Sequence, residues 1–187
     1  GLQAAPALVK VEHEAGRRIA IFGEPRHPEC MGINGCCENG AVFLKSAEEV
    51  AALDPTAAWC IVAQTTADAG EYGRIRRAAA LRPGETTVCD TLCSATKARQ
   101  SEAARMSEIC TVMLVIGDRH SSNTAKLASV CKKSCDNVHS VSKVDELPLE
   151  KIHADDIIGI VSGASAPDAI IREVMTRMSE LEKTMAE

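Results

Sequence analysis

Aromatic residues are scarce, with 1 Trp, 1 Tyr and 2 Phe in a chain of 187 residues. Four rings are too few for the stacking platform on which single-stranded nucleic acid is bound, so no nucleic-acid partner is expected for this segment. Positive charge is also short. The balance of 21 Lys and Arg against 26 Asp and Glu leaves a net charge of −5, which argues against a general polyanion binder. No apolar run approaches the roughly 20 residues of a membrane span, and the N-terminus lacks the charged-then-apolar layout of a secretion signal. A cytoplasmic protein with no membrane partner is expected. There is no Walker motif and no G-x-G-x-x-G after a strand, so neither a nucleoside triphosphatase nor a dinucleotide enzyme is supported.

What is present is an ordinary globular composition, 45% hydrophobic and 25% charged, long enough for one large or two small packed domains. Cysteine is plentiful at 9 residues, yet no two form a C-x-x-C pair, which weakens zinc-finger and thioredoxin readings. In a reducing compartment such residues serve as small hydrophobes, metal ligands or catalytic thiols. The first residue is Gly1 and not Met, so a processed product or a piece of a longer chain is expected.

Apolar, β-prone runs occur at Arg18 to Phe22, Ala41 to Leu44, Trp59 to Ala63, Thr111 to Ile116, Val138 to Val141 and Ile157 to Val161. Most are continuous and not alternating, as in strands covered on both faces of a parallel α/β sheet. Helical patterns lie between them. Asp68 to Leu81 ends at Pro83-Gly84, a second pattern runs from near Cys93 to about Ile109, and a third from Asn123 to about Ser134. In a fourth pattern, the last in the chain, Ile171, Val174, Met175, Met178, Leu181 and Met185 fall on one face. The order of elements repeats: residues 18–81 and 111–186 share one plan, and Arg18 to Thr111, Ser46 to Ser142 and Thr65 to Ser162 are separated by 93, 96 and 97 residues. Ser46 and Ser142 each precede an acid by three residues, a capping-box start for a short helix. The expected fold is therefore α/β, with two similar three-layer modules of mainly parallel sheets, at residues 1–90 and 91–187.

The turns after the strands set this chain apart. They read Gly23-Glu-Pro-Arg-His27-Pro28-Glu29, Gln64-Thr65-Thr66, Gly117-Asp-Arg-His120-Ser121-Ser122-Asn123-Thr124 and Ser162-Gly163-Ala164-Ser165-Ala166-Pro167. In open parallel sheets, ligands bind outside the carboxyl ends of strands. Hydroxyls and amides there can simply cap the following helix, or they can join its free N–H groups and dipole in holding an anion such as a phosphate. Ser-Ser-Asn has more polar groups than one cap uses. His27 and Glu29 flank Pro28, which suits a helix starting at Pro28 and leaves a pair able to bind an anion and supply a proton. Cys60 and Cys110 fit core packing. Cys89 and Cys93 are read as lying just before a helix, where the dipole favours a thiolate.

Five segments, His27-Pro28-Glu29, Gln64-Thr65-Thr66, Cys93-Ser-Ala-Thr-Lys-Ala-Arg-Gln100, Ser121-Ser122-Asn123-Thr124 and Gly163-Ala-Ser165-Ala-Pro167, occur in the order seen in one family. The chain resembles the LytB-type 4-hydroxy-3-methylbut-2-enyl diphosphate reductases. The resemblance implies a trefoil of three α/β modules around an iron–sulfur cluster of the 4Fe-4S type, with this chain supplying the second and third. It assigns Cys93 as a cluster ligand and Glu29 as the proton-delivering carboxylate. It assigns His27, Thr65, Thr66, Ser121, Ser122, Asn123 and Ser165 to the diphosphate or the hydroxyl of a small allylic diphosphate. A ferredoxin or flavodoxin type electron donor is implied as well. The family's other two cluster cysteines and two further histidines would lie upstream, so a fragment inactive by itself is expected. Two alternatives stay open on the residues alone: a non-catalytic anion-binding module, and a small zinc or redox protein using Cys89 and Cys93.

Overall fold

The computed structural model describes residues 4–186. The chain divides between Cys93 and Ser94 into two compact units, three residues beyond the boundary expected after residue 90. The first unit runs α1 (Ala5–Glu14), β1 (Arg18–Phe22), α2 (Pro28–Gly35), β2 (Val42–Leu44), a 3₁₀ helix (Ala47–Ala52), β3 (Trp59–Ala63), α3 (Ala69–Leu81) and β4 (Thr86–Val88). Its sheet has the order β2-β1-β3-β4 and every pairing is parallel. The second runs α4 (Ser94–Ser107), β5 (Val112–Ile116), α5 (Ser122–Cys131), β6 (Val138–Val141), two short 3₁₀ helices, β7 (Ile158–Ser162) and α6 (Asp168–Met185). Its sheet has the order β6-β5-β7, again parallel throughout.

The continuous apolar runs have the expected cause. All five residues of β3 and all five of β5 are buried, because helices cover both faces. Alternation divides each strand between two cores. Trp59, Ile61 and Ala63 pack with Phe22, Tyr72 and Ile75, whereas Cys60 and Val62 pack with Val9, Ile19 and Ile33. In the second unit Val112, Leu114 and Ile116 join Val174 and Met178, while Met113 and Val115 join Leu127 and Cys131. Each fully buried large aliphatic chain contributes about 1.5–3 kcal/mol. The central strands therefore carry the largest share of the driving force.

Three local expectations differ from the structure. The Ser46 side chain makes no cap, and it is Glu49 that reaches back to the Lys45 N–H at 2.7 Å. In the second unit Glu146, not Asp145, does the same to the Ser142 N–H at 2.8 Å. The acid four residues on is thus the working element, since in a single 3₁₀ turn it can reach a backbone donor that a capping-box serine would leave bare. On α6, Val174 and Met178 are buried but Met175 and Met185 are 52% and 37% exposed. They line an open groove of about 660 Å³ with Ile158 and Ile160 of the edge strand β7. Cys89 follows the strand β4 and does not stand before a helix.

The three-residue strand β4 is extended by a side chain. The Thr91 hydroxyl accepts from the Ala63 N–H and donates to the Ala63 carbonyl, both at 2.8 Å, and so takes the place of the next strand residue beside β3. Thr91 is buried, and valine of the same shape would leave both Ala63 groups without a partner. Thr91→Val is expected to cost about 2–4 kcal/mol in urea unfolding. A loss below about half a kcal/mol would show that the hydroxyl carries no such ladder role.

Candidate functional site

In the first unit β1 sends the chain to β2 on one side, and β3 sends it to α3 and β4 on the other. A crevice is left at their carboxyl ends, the place where parallel α/β sheets bind ligands. His27 and Glu29 enter it from one side and Gln64, Thr65 and Thr66 from the other. Pro28 starts α2 with its fixed φ, and His27 is the N-cap, its Nδ1 accepting from the Glu29 N–H at 3.2 Å. A neutral imidazole bonded in this way carries its proton on Nε2, which makes that edge a donor.

Glu29 is gripped by one residue. Its Oε1 accepts from the Thr65 N–H at 2.8 Å and its Oε2 from the Thr65 hydroxyl at 2.9 Å. The Thr65 carbonyl accepts from the Cys93 N–H at 3.2 Å. Thr65 thereby holds a carboxylate and the backbone of a cysteine that lie 64 residues apart in sequence. Thr66 faces elsewhere, its hydroxyl accepting from Gln64 Nε2 at 3.0 Å. Of the two threonines, Thr65 is the one joined to the carboxylate.

Gln64 was not among the expected site residues, yet it ties the crevice together. Fully buried, it accepts through Oε1 from the Glu24 N–H at 3.0 Å and from the Cys30 thiol at 3.5 Å. Burial, with the Glu29 and Glu24 carboxylates nearby, pushes the Cys30 thiol up to about 11, so it stays a neutral donor. Gly23 completes the packing, because a Cβ there would lie 2.7 Å from the Cys30 sulfur and 2.8 Å from Gln64 Cβ. A glutamine directly after a buried strand was the available sequence signal.

The second unit repeats the arrangement at the ends of β5 and β7. Gly117 leaves β5 at φ 147°, and Ser121 is the N-cap of α5 without making a side-chain cap. Simple capping therefore does not account for Ser121. Asn123 and Thr124 are buried, and Asn123 Nδ2 and Oδ1 and Thr124 Oγ1 have no hydrogen-bond partner among the described residues. Thr124 Oγ1 fills the space between the two turns: a Cβ at Gly117 would lie 2.5 Å from it and one at Gly163 2.6 Å. Both turns need glycine for that reason. Gly163 opens the Gly163–Pro167 turn, which carries the exposed Ser165 to the start of α6.

Cys93, partly exposed, lies immediately before α4. Among the described residues no group of three or more His, Cys, Asp and Glu is arranged to hold a metal ion. One thiol fits one corner of a cluster. The groove beside β7 shares no residue with either crevice.

These features define a tandem parallel α/β protein whose strand-end turns are furnished with hydroxyls, amides and an imidazole. Within that class, the LytB protein family model matches residues 3–179, and the chain belongs to this family. The 4-hydroxy-3-methylbut-2-enyl diphosphate reductase of Caldanaerobacter subterraneus subsp. tengcongensis is 38% identical over 174 residues, 93% of this chain and 60% of that protein. The reductase of the same name from Clostridioides difficile is 38% identical over 176 residues, 93% of this chain and 63% of that protein. The chain thus spans about 60% of the length of the curated relatives it matches. The solved E-1-hydroxy-2-methyl-but-2-enyl-4-diphosphate reductase from Plasmodium falciparum shares the fold, with a TM-score of 0.81 at 20% identity over 94% of this chain and 56% of that one. No helix among the described residues is long and apolar enough to cross a membrane.

A buried amide with two unpaired polar atoms costs stability unless something binds it. Asn123→Leu, similar in volume, is expected to raise the unfolding free energy of the free chain by about 1–3 kcal/mol in urea. Equal or lower stability would mean that the amide is not a strained group.

Proposed function

We propose that the chain carries the substrate-binding and proton-handling part of a 4-hydroxy-3-methylbut-2-enyl diphosphate reductase, the last enzyme of the non-mevalonate isoprenoid pathway. The reaction is a reductive dehydroxylation yielding isopentenyl and dimethylallyl diphosphate. The observation that carries the reading is the grip of Thr65 on Glu29 and on the Cys93 backbone, which gathers a proton carrier and a candidate cluster ligand in one crevice. Loss of a hydroxyl as water requires a proton at the departing oxygen. Glu29 is the carboxylate for that proton, and the Thr65 hydroxyl, both donor and acceptor, extends its reach.

A diphosphate needs donors that are aimed and desolvated. In the first unit the His27 Nε2 edge and Thr66 offer donors; in the second Ser121, Ser122, Ser165 and the buried Asn123 amide do, with the N-terminus of α5 adding its dipole. A 4Fe-4S type cluster, when bound, supplies the two electrons that a ferredoxin or flavodoxin type donor renews. Cys93 would hold one of its corners, with the remaining ligands coming from outside the described residues. In this reading the two units are two modules of a three-module trefoil, working in the cytoplasm.

In the complete enzyme prepared without oxygen, Glu29→Gln is expected to keep its iron and lose about 10²–10⁴-fold in turnover. Undiminished turnover would remove Glu29 from the proton path. Cys93→Ala is expected to lose its iron and sulfide together with activity, and an unchanged iron content would exclude it as a ligand. With the chain alone, calorimetry should show inorganic diphosphate binding weakened by Asn123→Leu; equal binding would take Asn123 out of the anion site.

A further inference from the structure

The sulfurs of Cys60 and Cys89 lie 3.6 Å apart, and neither residue has a part in the chemistry proposed above. Cys60 is fully buried as the second residue of β3, opposite Thr87 of β4. Two residues beyond Thr87, Cys89 falls on the same face and continues the ladder, its N–H donating to the Ile61 carbonyl at 2.9 Å. Cys89 is only partly buried. Cys89 thus keeps part of its surface open to solvent, and Cys60 keeps none.

The two sulfurs also differ in charge preference. The hydrogen bond shared with Cys60 holds the Cys89 thiol below the ordinary range, and Arg76 and Arg17 act in the same direction, against burial and Glu12. The same bond, with burial, raises Cys60. A partly exposed thiol whose ionisation is eased, with a buried second thiol in contact with it, is the arrangement that peroxide converts to a disulfide.

We propose that Cys60 and Cys89 form a peroxide-responsive dithiol that closes reversibly to a disulfide. The Cys89 sulfur attacks one oxygen of hydrogen peroxide, the O–O bond breaks, and Cys89 becomes a sulfenic acid as the departing hydroxide takes up the Cys89 thiol proton and leaves as water. The Cys60 sulfur then attacks the Cys89 sulfur, and the hydroxyl departs as water with the Cys60 proton. In sum two thiols lose two electrons and two protons, and one peroxide becomes two waters. Reaching a bond of about 2.05 Å requires the sulfurs to close by roughly 1.5 Å, and because Cys89 is diagonal to Cys60 and not opposite it, closure draws the backbone after β4 toward β3. The dithiol does not depend on the reading of Cys93 as a cluster ligand.

The test uses the full chain, reduced, freed of metal and treated with hydrogen peroxide. Digestion ahead of aspartate cuts at Asp54, Asp68 and Asp90, so Cys60, Cys89 and Cys93 fall in three separate peptides. The expected product has lost two hydrogen atoms, contains a Cys60–Cys89 crosslinked peptide and reverts with a thiol reductant. Cys93→Ala keeps the crosslink. Cys89→Ala loses it, and in Cys60→Ala a dimedone probe captures Cys89 as the sulfenic acid. In unmodified protein, dimedone present during oxidation should label Cys89 ahead of Cys110, whose thiol burial raises. Absence of the Cys60–Cys89 peptide, a crosslink from Cys89 to Cys93 instead, or equal labelling of Cys89 and Cys110 would overturn the proposal.

Discussion

Parallel pairing of two strands whose chains must leave in opposite directions is the constraint on which each unit depends. β1 pairs with β3 over Arg18–Phe22 in the middle of its sheet, and the central strand β5 pairs with the edge strand β7 over Val112–Ile116. Because the connections diverge, the carboxyl ends of each pair are left uncovered by their own loops. Backbone groups there have no further strand to meet. The same contact closes each ladder: the Gln64 N–H donates to the Phe22 carbonyl, and the Gly163 N–H to the Ile116 carbonyl, both at 2.9 Å. Beyond that last rung, polar groups are met by the turns, through their side chains and through backbone bonds such as that from the Cys93 N–H to the Thr65 carbonyl.

The two units meet this demand differently. In the first, Gln64, Thr65 and Thr91 satisfy nearly everything within reach, and the result is a hydrogen-bonded crevice holding Glu29 in one geometry. Such a grip suits a group that must deliver a proton at a defined place, since positioning precedes acidity in general acid catalysis. In the second, Asn123 and Thr124 bring polar atoms into the interior and leave them unpaired. Unpaired buried groups cost about 1–3 kcal/mol each, a loss that a bound anion can offset by accepting from them. Strain of this kind concentrates where ligands act. The glycines at 117 and 163 belong to the same device, because only a residue without Cβ leaves room for the Thr124 hydroxyl.

The sequence made some of this legible and concealed the rest for physical reasons. Continuous apolar runs marked β1, β3 and β5 to within a residue, because central parallel strands bury both faces and admit no polar alternation. His27-Pro28 marked the start of α2, because proline fits the first helical turn and little else nearby. The strand β4 went unread: three residues are too few for a period, and its ladder is completed by a threonine side chain that no pattern announces. Helix α1 was likewise unread, its buried face being little more than Ala5 and Val9. Residue identity suggested Glu29 and Thr65 separately. Their bond could not be read, since it joins residues 36 apart through a crevice that exists only once the sheet has formed. The pairing of Cys60 with Cys89 is of the same kind, fixed by strand register and not by spacing.

The stretch from β4 to α4 is where these strands of argument meet. The Cys89 carbonyl accepts from the buried Tyr72 hydroxyl at 2.6 Å and from the Thr91 N–H at 3.1 Å. Thr91 then clamps Ala63, and the Cys93 N–H reaches the Thr65 carbonyl that sits on the Glu29 carboxylate. Every second residue from Cys89 to Cys93 is therefore anchored to β3 or its turn. A segment fixed at such short intervals has little slack, so a displacement at Cys89 is carried along it and not absorbed. Packed elements shift between discrete arrangements more readily than they stretch. Closure of the proposed Cys60–Cys89 pair would therefore pull on the same tether that fixes Cys93 and, through Thr65, the Glu29 carboxylate.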